Sequence, residues 1–407
     1  MKTKADYNKT LNRLIITDGL SHIHRKLIII MNDLKAHYNK EFKKPGRIVG
    51  AFSGKYNTDN SDLIYENLVL LTQSFLCRYP IFEGQGNFGS INDPMSFAKI
   101  RHTESRLTKY ATLFKINILN GVNAQIPNIL LNGSIKDEKD GVCYIPPHNL
   151  TEVMNACIHL LSNPNSNIDD IMRIISAPDY PSGANIVSPR RDIVQMYKNG
   201  IGDIKQRAIY EFDENDNVVI SKLPQFVTST SVIAQITSEI EKQEKTWVRK
   251  VLDETDNLYK SARVITSLDE LSRSVRIVLY TNTTKDNIVK LMEHLFATTD
   301  LEKSLHVNME IIDLDGNVEV KNLLDILQEW LEYRKLILKD ELVSALNNTL
   351  DKLEIREIRD YLADDTKLKS LMVKNFKQII KDFGDDRLSH VINSDVSKIL
   401  TKNENNI

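Results

Sequence analysis

Apolar positions recur at helical spacing from Tyr7 to Ile30, with Leu11, Leu14 and Ile15 in one register and Leu27 to Met31 as an apolar run. Asp18-Gly19 interrupts that pattern. Ser61 is placed to cap a helix through Leu63, Tyr65, Leu68 and Leu71. Thr103 to Phe114 has helical spacing again, through Leu107, Tyr110, Ala111 and Phe114, whereas Ile126 to Gly133 reads as a short strand. Pro146-Pro147 closes this region, and Asn149 caps an amphipathic helix from Leu150 to Leu161. Asn163 to Asn167 is a polar linker, with a domain boundary near Asp170.

From Ala177 to about Val320 the pattern becomes α/β. Strands are expected near Ile204–Phe212, Val218–Leu223, Ser274–Tyr280 and Met309–Leu314, with helices between them. Asp315-Gly316, between Ile311–Leu314 and Val318–Val320, is a hairpin turn signal. From Leu323 to Leu353 the repeat is helical without Gly or Pro. A helix of that length projects from a domain or pairs with another. The polar tail from Thr401 to Ile407 is expected to fray, and the chain shows no internal repeat.

Length and composition narrow the class. A chain of 407 residues predicts two or three folding units, and 41% hydrophobic with 27% charged residues is a soluble globular composition. No apolar run approaches the ~18 residues of a membrane span, and Met1 to Asn12 lacks a signal-peptide core. Cys77, Cys143 and Cys157 have no metal-ligand spacing and fit a reducing interior, so the expected location is cytoplasmic. The first 150 residues hold 20 Lys and Arg against 13 Asp and Glu, a balance of +7, so the other 257 carry −9 of the net −2. Either the first third alone is suited to a polyanion, or the clustering is incidental; charge leaves both open.

Two stretches are far more specific. The first runs Arg78-Tyr79-Pro80-Ile81-Phe82-Glu83-Gly84-Gln85-Gly86-Asn87-Phe88-Gly89-Ser90, then Asn92-Asp93-Pro94 and Arg101-His102-Thr103-Glu104-Ser105-Arg106-Leu107. The second is Ile126-Pro127-Asn128-Ile129-Leu130-Leu131-Asn132-Gly133, then Ile145-Pro146-Pro147-His148-Asn149-Leu150-Thr151-Glu152-Val153. In this order they resemble the breakage-reunion region of the A subunits of DNA gyrase and topoisomerase IV, the type IIA topoisomerases. Weaker echoes are Asp18-Gly19-Leu20, Lys43-Lys44 with Arg47-Ile48-Val49-Gly50, Gly54-Lys55-Tyr56, Ala177-Pro178-Asp179-Tyr180-Pro181, Lys222-Leu223-Pro224 and Trp330-Leu331-Glu332-Tyr333-Arg334.

The resemblance implies a multidomain α+β protein. Residues 1–165 would form a winged-helix DNA-gate module, 170–320 an α/β tower and 321–400 a long helix with a shortened coiled arm. Two chains would pair as a homodimer through the first module around double-stranded DNA. This chain itself would hold no cofactor; magnesium and ATP would come only through a B-type partner subunit. Some 73 residues follow Arg334, too few for a long arm with a lower gate, and the segment before Asp18 is short for the arm that holds a B subunit.

The family chemistry needs a tyrosine that attacks a phosphodiester, beside an arginine. Arg101 matches that arginine, but the tyrosine position holds His102. An imidazole nitrogen falls about 2 Å short of a phenolic oxygen, where a 1 Å error costs ~100-fold. The family segment H-P-H-G-D-S reads Asn57-Thr58-Asp59-Asn60-Ser61-Asp62, and the apolar wedge that kinks DNA is replaced by Asp137 in an acidic cluster. Of the K-P-V-x-R-R continuation after Asp18-Gly19-Leu20, only Arg25-Lys26 remains.

The expected function is therefore a DNA-binding, topoisomerase-like dimer that has lost strand cleavage. It would hold duplex DNA through Arg25, Lys26, Lys43, Lys44, Arg47, Lys55 and Arg101, or serve as a modulator or decoy by engaging the A or B subunit of a topoisomerase. An active A-type chain with a substitute nucleophile, and a structural dimer that no longer binds DNA, are the alternatives. Tyr110 is read as packing, His148 as bracing a turn, and Trp247 and Trp330 as core or interface aromatics. His22 and His24 do not share a helix face, so no metal site is expected there.

Overall fold

The computed structural model describes residues 14–117, 121–134, 144–242, 247–255, 275–348 and 352–384. Helix α1 (His22–Asp33) starts where the Ser21 hydroxyl accepts from His24 N, and it buries Leu27, Ile28, Ile30 and Met31. Helix α2 (Pro45–Tyr56) opens on a proline, which loses no hydrogen bond at that position, and buries Ile48, Val49 and Phe52. Helix α3 (Ser61–Leu70) is capped by Asn60, one residue before the expected Ser61. The three helices pack on one another.

Strand β1 (Phe82–Gln85) pairs antiparallel with β2 (Glu104–Leu107). Here the helix expected over Thr103–Phe114 is replaced by β2, a 3-10 turn (Tyr110–Leu113) and β3 (Phe114–Asn117). Pairing across the chain overrides the local spacing: Ser105 exchanges both backbone hydrogen bonds with Lys43, at 2.9 Å each, while β1 takes its other edge. β4 (Gly121–Ala124) completes a hairpin with β3. The strand expected over Ile126–Gly133 is a short helix, α4 (Asn128–Leu131), with all four residues buried. Ile15, expected in a helix, instead bridges to Ile312, because Ile16 N donates to Ile312 O and Ile312 N to Leu14 O.

Helix α5 (Leu150–Ser162) is capped by Asn149 as the sequence implied. The polar stretch after it includes Asn167, which with Asp170 forms a capping box for α6 (Ile168–Ile171). Then follow β5 (Asn185–Ile186), α7 (Arg190–Asn199), β6 (Ile201–Arg207), β7 (Ile209–Phe212) and β8 (Val218–Lys222). They lead into α8 (Ser229–Glu241), β9 (Val248–Asp253), β10 (Ile277–Thr281), α9 (Lys285–Thr298) and β11 (Glu302–Asn308). One antiparallel sheet has the order β7-β8-β10-β9, and a second β11-β6-β5. β12 (Glu310–Ile312) and β13 (Val318–Val320) form the expected hairpin about Asp315-Gly316.

The long helix α10 is described over Leu323–Asn348; α11 (Lys352–Ala363), which contains Leu353, and α12 (Asp365–Phe383) follow. α12 returns to pack on α5 and α10, with the Trp330 and Phe376 rings 5.9 Å apart. Among the described residues this mixed α+β chain has two buried cores. The larger joins α1–α5, β6, β11, α10 and α12, while the smaller lies between the β7-β8-β10-β9 sheet and helices α8 and α9. Among the described residues, no helix is long and apolar enough to cross a membrane.

Candidate nucleic-acid interface

The two glycine-rich and R-H-T-E segments meet at one turn. Ile100–His102 is a 3-10 turn in which His102 N donates to Lys99 O at 2.8 Å. The Tyr65 hydroxyl, on α3, donates to Ala98 O at 2.8 Å and accepts from Thr103 Oγ1 at 2.7 Å, so it spans both ends of the turn. Burial pushes the Tyr65 phenol above its ordinary pKa. Gly86 has φ +108, and a Cβ there would lie 2.9 Å from His102 O, so glycine lets the loop approach the turn. The buried Gln73 amide donates at 2.7 Å to Phe88 O and to Pro94 O, tying the two limbs of the glycine loop together. Sequence pattern assigns no site role to Tyr65 or Gln73.

Arg101 and His102 are both exposed and hydrogen-bonded to each other, Arg101 Nε to His102 Nε2 at 2.9 Å. Two of the predicted cations lie alongside: Lys43 pairs with Ser105, and α2, which carries Arg47, packs against the 3-10 turn. Arg47 is exposed, and Lys26 Nζ sits 4.5 Å from the Tyr56 ring centroid. Three of the predicted cations are engaged by carboxylates. Lys44 pairs with Glu104 at 2.7 Å and Lys55 with Asp33 at 2.7 Å. Arg25 grips the buried Asp18 through two bonds of 2.6 and 2.9 Å, in a corner lined by Tyr333. Burial pushes the Asp18 carboxyl up, and the guanidinium opposes it.

The second motif is structural wiring. Asn128 Nδ2 donates to Asp18 O at 3.1 Å and Gly19 O at 3.3 Å, while its Oδ1 accepts from Tyr110 OH at 3.0 Å and Asn132 Nδ2 at 2.9 Å. Gly19, at φ +62, lies against the Ile129 backbone, where any Cβ would collide. Tyr110 is buried and its phenol is pushed well above the ordinary range by that burial. His148 is buried too, its ring nitrogens 2.9 Å from Leu130 O and 2.7 Å from Tyr197 OH. Cys77 and Cys157 are buried, and the Cys77 thiol donates to Asn132 Oδ1 at 3.3 Å. Asp137 and Cys143 lie outside the described residues. No metal-ligand cluster occurs among the described residues.

Similarity places this arrangement in a class. A family model for the A subunit of DNA gyrase/topoisomerase IV matches residues 15–119 and 120–405. The chain is 37% identical over 359 residues to the DNA topoisomerase 4 A subunit of Salmonella typhimurium, covering 84% of this chain and 46% of the relative. The Escherichia coli protein of that name gives the same identity and coverage. The Rickettsia felis protein is 30% identical over 394 residues, 89% of this chain and 51% of the relative. The chain belongs to the A-subunit family of DNA gyrase and topoisomerase IV. It spans about half the length of the curated relatives it matches.

Proposed function

We propose that this chain is a DNA-holding relative of the topoisomerase A subunit that no longer cleaves strands. The observation that carries this reading is the turn at Ile100–His102. It is braced by Tyr65 and closely approached by Gly86, yet it presents an imidazole whose Nε2 lone pair is engaged by Arg101. Two phenols of the same region offer no replacement: the Tyr65 and Tyr110 hydroxyls are hydrogen-bonded within the fold. In this reading residues 1–165 act as a winged-helix gate module, 170–320 as a tower and 321–400 as a shortened arm, with two chains clasping a duplex. The chain carries no cofactor of its own; a B-type subunit would bring magnesium and ATP, and an A or B subunit is the partner if it acts as a decoy.

The ion pairs of Arg25, Lys44 and Lys55 favour a weaker second reading, a structural dimer without DNA. A fluorescent duplex titrated across salt separates the two. Lys26, Lys43, Arg47 and Arg101 have no carboxylate partner among the described residues. With two chains on one duplex, four phosphate contacts per protomer predict log K falling with log salt at a slope of about −7, against about −13 if all seven cations of each chain engaged. Charge reversal at Lys43, Arg47 and Arg101 should abolish binding. No binding at low salt in the unaltered protein would leave the structural dimer. Covalent adducts formed with a metal-bearing B subunit would instead revive an active enzyme with a substitute nucleophile.

A further inference from the structure

We infer that His102, which stands where the resemblance puts a nucleophile, is a positioning residue for Arg101. A guanidinium Nε always carries hydrogen and never accepts, so the 2.9 Å bond from Arg101 Nε requires His102 Nε2 to offer its lone pair. In this contact the imidazole accepts through Nε2, with its proton on Nδ1. The same bond uses one edge of the guanidinium and fixes its plane. The two Nη groups on the far edge remain for a single phosphate, the fork geometry in which arginine binds an oxyanion through two parallel bonds.

The backbone beneath the pair supports this role. His102 N is bound to Lys99 O, Tyr65 spans Ala98 and Thr103, and Gly86, with no Cβ, lets its loop lie against His102 O. Both side chains are exposed, so water competes for the bond and its effect is modest. The inference rests on the reading of this face as a DNA contact, and the experiment is chosen to tell the two apart.

Binding of a fluorescent duplex at low salt and pH 8 is measured for R101A, H102A, R101A/H102A and H102Q. Removing His102 should weaken binding about 3- to 5-fold when Arg101 is present. It should change nothing when Arg101 is absent, since the two residues act as one unit. Glutamine, whose Oε1 accepts in the same way, should restore binding to within about 2-fold. An equal loss from H102A in both backgrounds means that His102 meets the duplex by itself and overturns the inference; so does no loss in either. The free protein, labelled with 15N-histidine, gives the second readout. His102 should show the Nδ1–H tautomer and revert toward the common Nε2–H form in R101A. A tautomer unmoved by R101A overturns the inference even if DNA binds. The expected tautomer without any DNA binding keeps the Arg101–His102 unit and defeats the DNA reading instead.

Discussion

Glu152 stands in the first turn of α5, where backbone N–H groups favour a carboxylate, yet burial and the Asp179 carboxylate raise its pKa from 4.5 to about 7. Asp179 is itself held by Arg78 at 2.9 Å. His148, four residues earlier, is driven by burial from 6.5 to about 4. The two act on stability with opposite signs. A raised Glu152 contributes stability that is full below about pH 4.5 and is lost as pH rises through about 7. A lowered His148 contributes stability that is full above about pH 6.5 and is lost as pH falls through about 4. Between 4.5 and 6.5 the two slopes cancel. Glu152→Gln should remove one of them, so urea midpoints of the variant should climb across that window relative to the parent. At pH 8 the variant should be the more stable, by up to about 3 kcal/mol, since each pKa unit is worth about 1.4 kcal/mol. Parallel midpoint curves for parent and variant would show that Glu152 ionises freely in the folded chain.

Among the elements, capped helices and a turn-marked hairpin were legible because their signals are local. Asn149 before Leu150–Ser162 and Asp315-Gly316 between β12 and β13 needed no knowledge of distant chain. The R-H-T-E segment was legible as a site, but its conformation was not: Glu104–Leu107 is a strand only because Lys43 and β1 flank it. Ile126–Gly133 failed differently, since a short apolar run buried on all sides has the same pattern as strand or helix. Its asparagines held the clue. Asn128 and Asn132, four apart, share one helical face and are hydrogen-bonded to each other at 2.9 Å. Nor could charge counting separate Arg47 and Arg101 from Arg25, because Asp18 becomes a partner only in the fold. The hub at Asn128 carries a prediction. Asn128→Ala would strand the Tyr110 hydroxyl and the Asp18 and Gly19 carbonyls in the interior, at about 1–3 kcal/mol for a buried group left unpaired. Urea unfolding should show that loss without a change in slope, and Tyr110→Phe in the same background should recover part of it. A fully tolerated Asn128→Ala would mean that buried water replaces the amide.

At the scale of the whole molecule, the long helix was expected to project or to pair, and it pairs. The turn through α11 brings α12 back onto α5, so Leu368, Met372 and Phe376 join the same buried core as the α1–α3 helices. The smaller core is built mainly from other strands and helices, joined by Phe75 and Ile91 from the first part of the chain. The chain's two tryptophans fall one to each: Trp330 is fully buried in the larger core, and Trp247 packs against the smaller. That placement makes cooperativity measurable. Single-tryptophan versions, Trp247→Phe and Trp330→Phe, would each report one core by fluorescence during unfolding. Phe376→Ala opens a cavity beside Trp330 and should destabilise the larger core by about 3–5 kcal/mol. If the arm belongs to the cooperative unit of the helical module, the Trp330 transition shifts as one step and carries the α1–α3 region with it. The Trp247 transition should stay in place, because its core shares no side chain with the cavity. A shift of both transitions by the same amount would merge the two cores into one folding unit. A new early step confined to α12 would mean that the returning helix is held only by its own contacts.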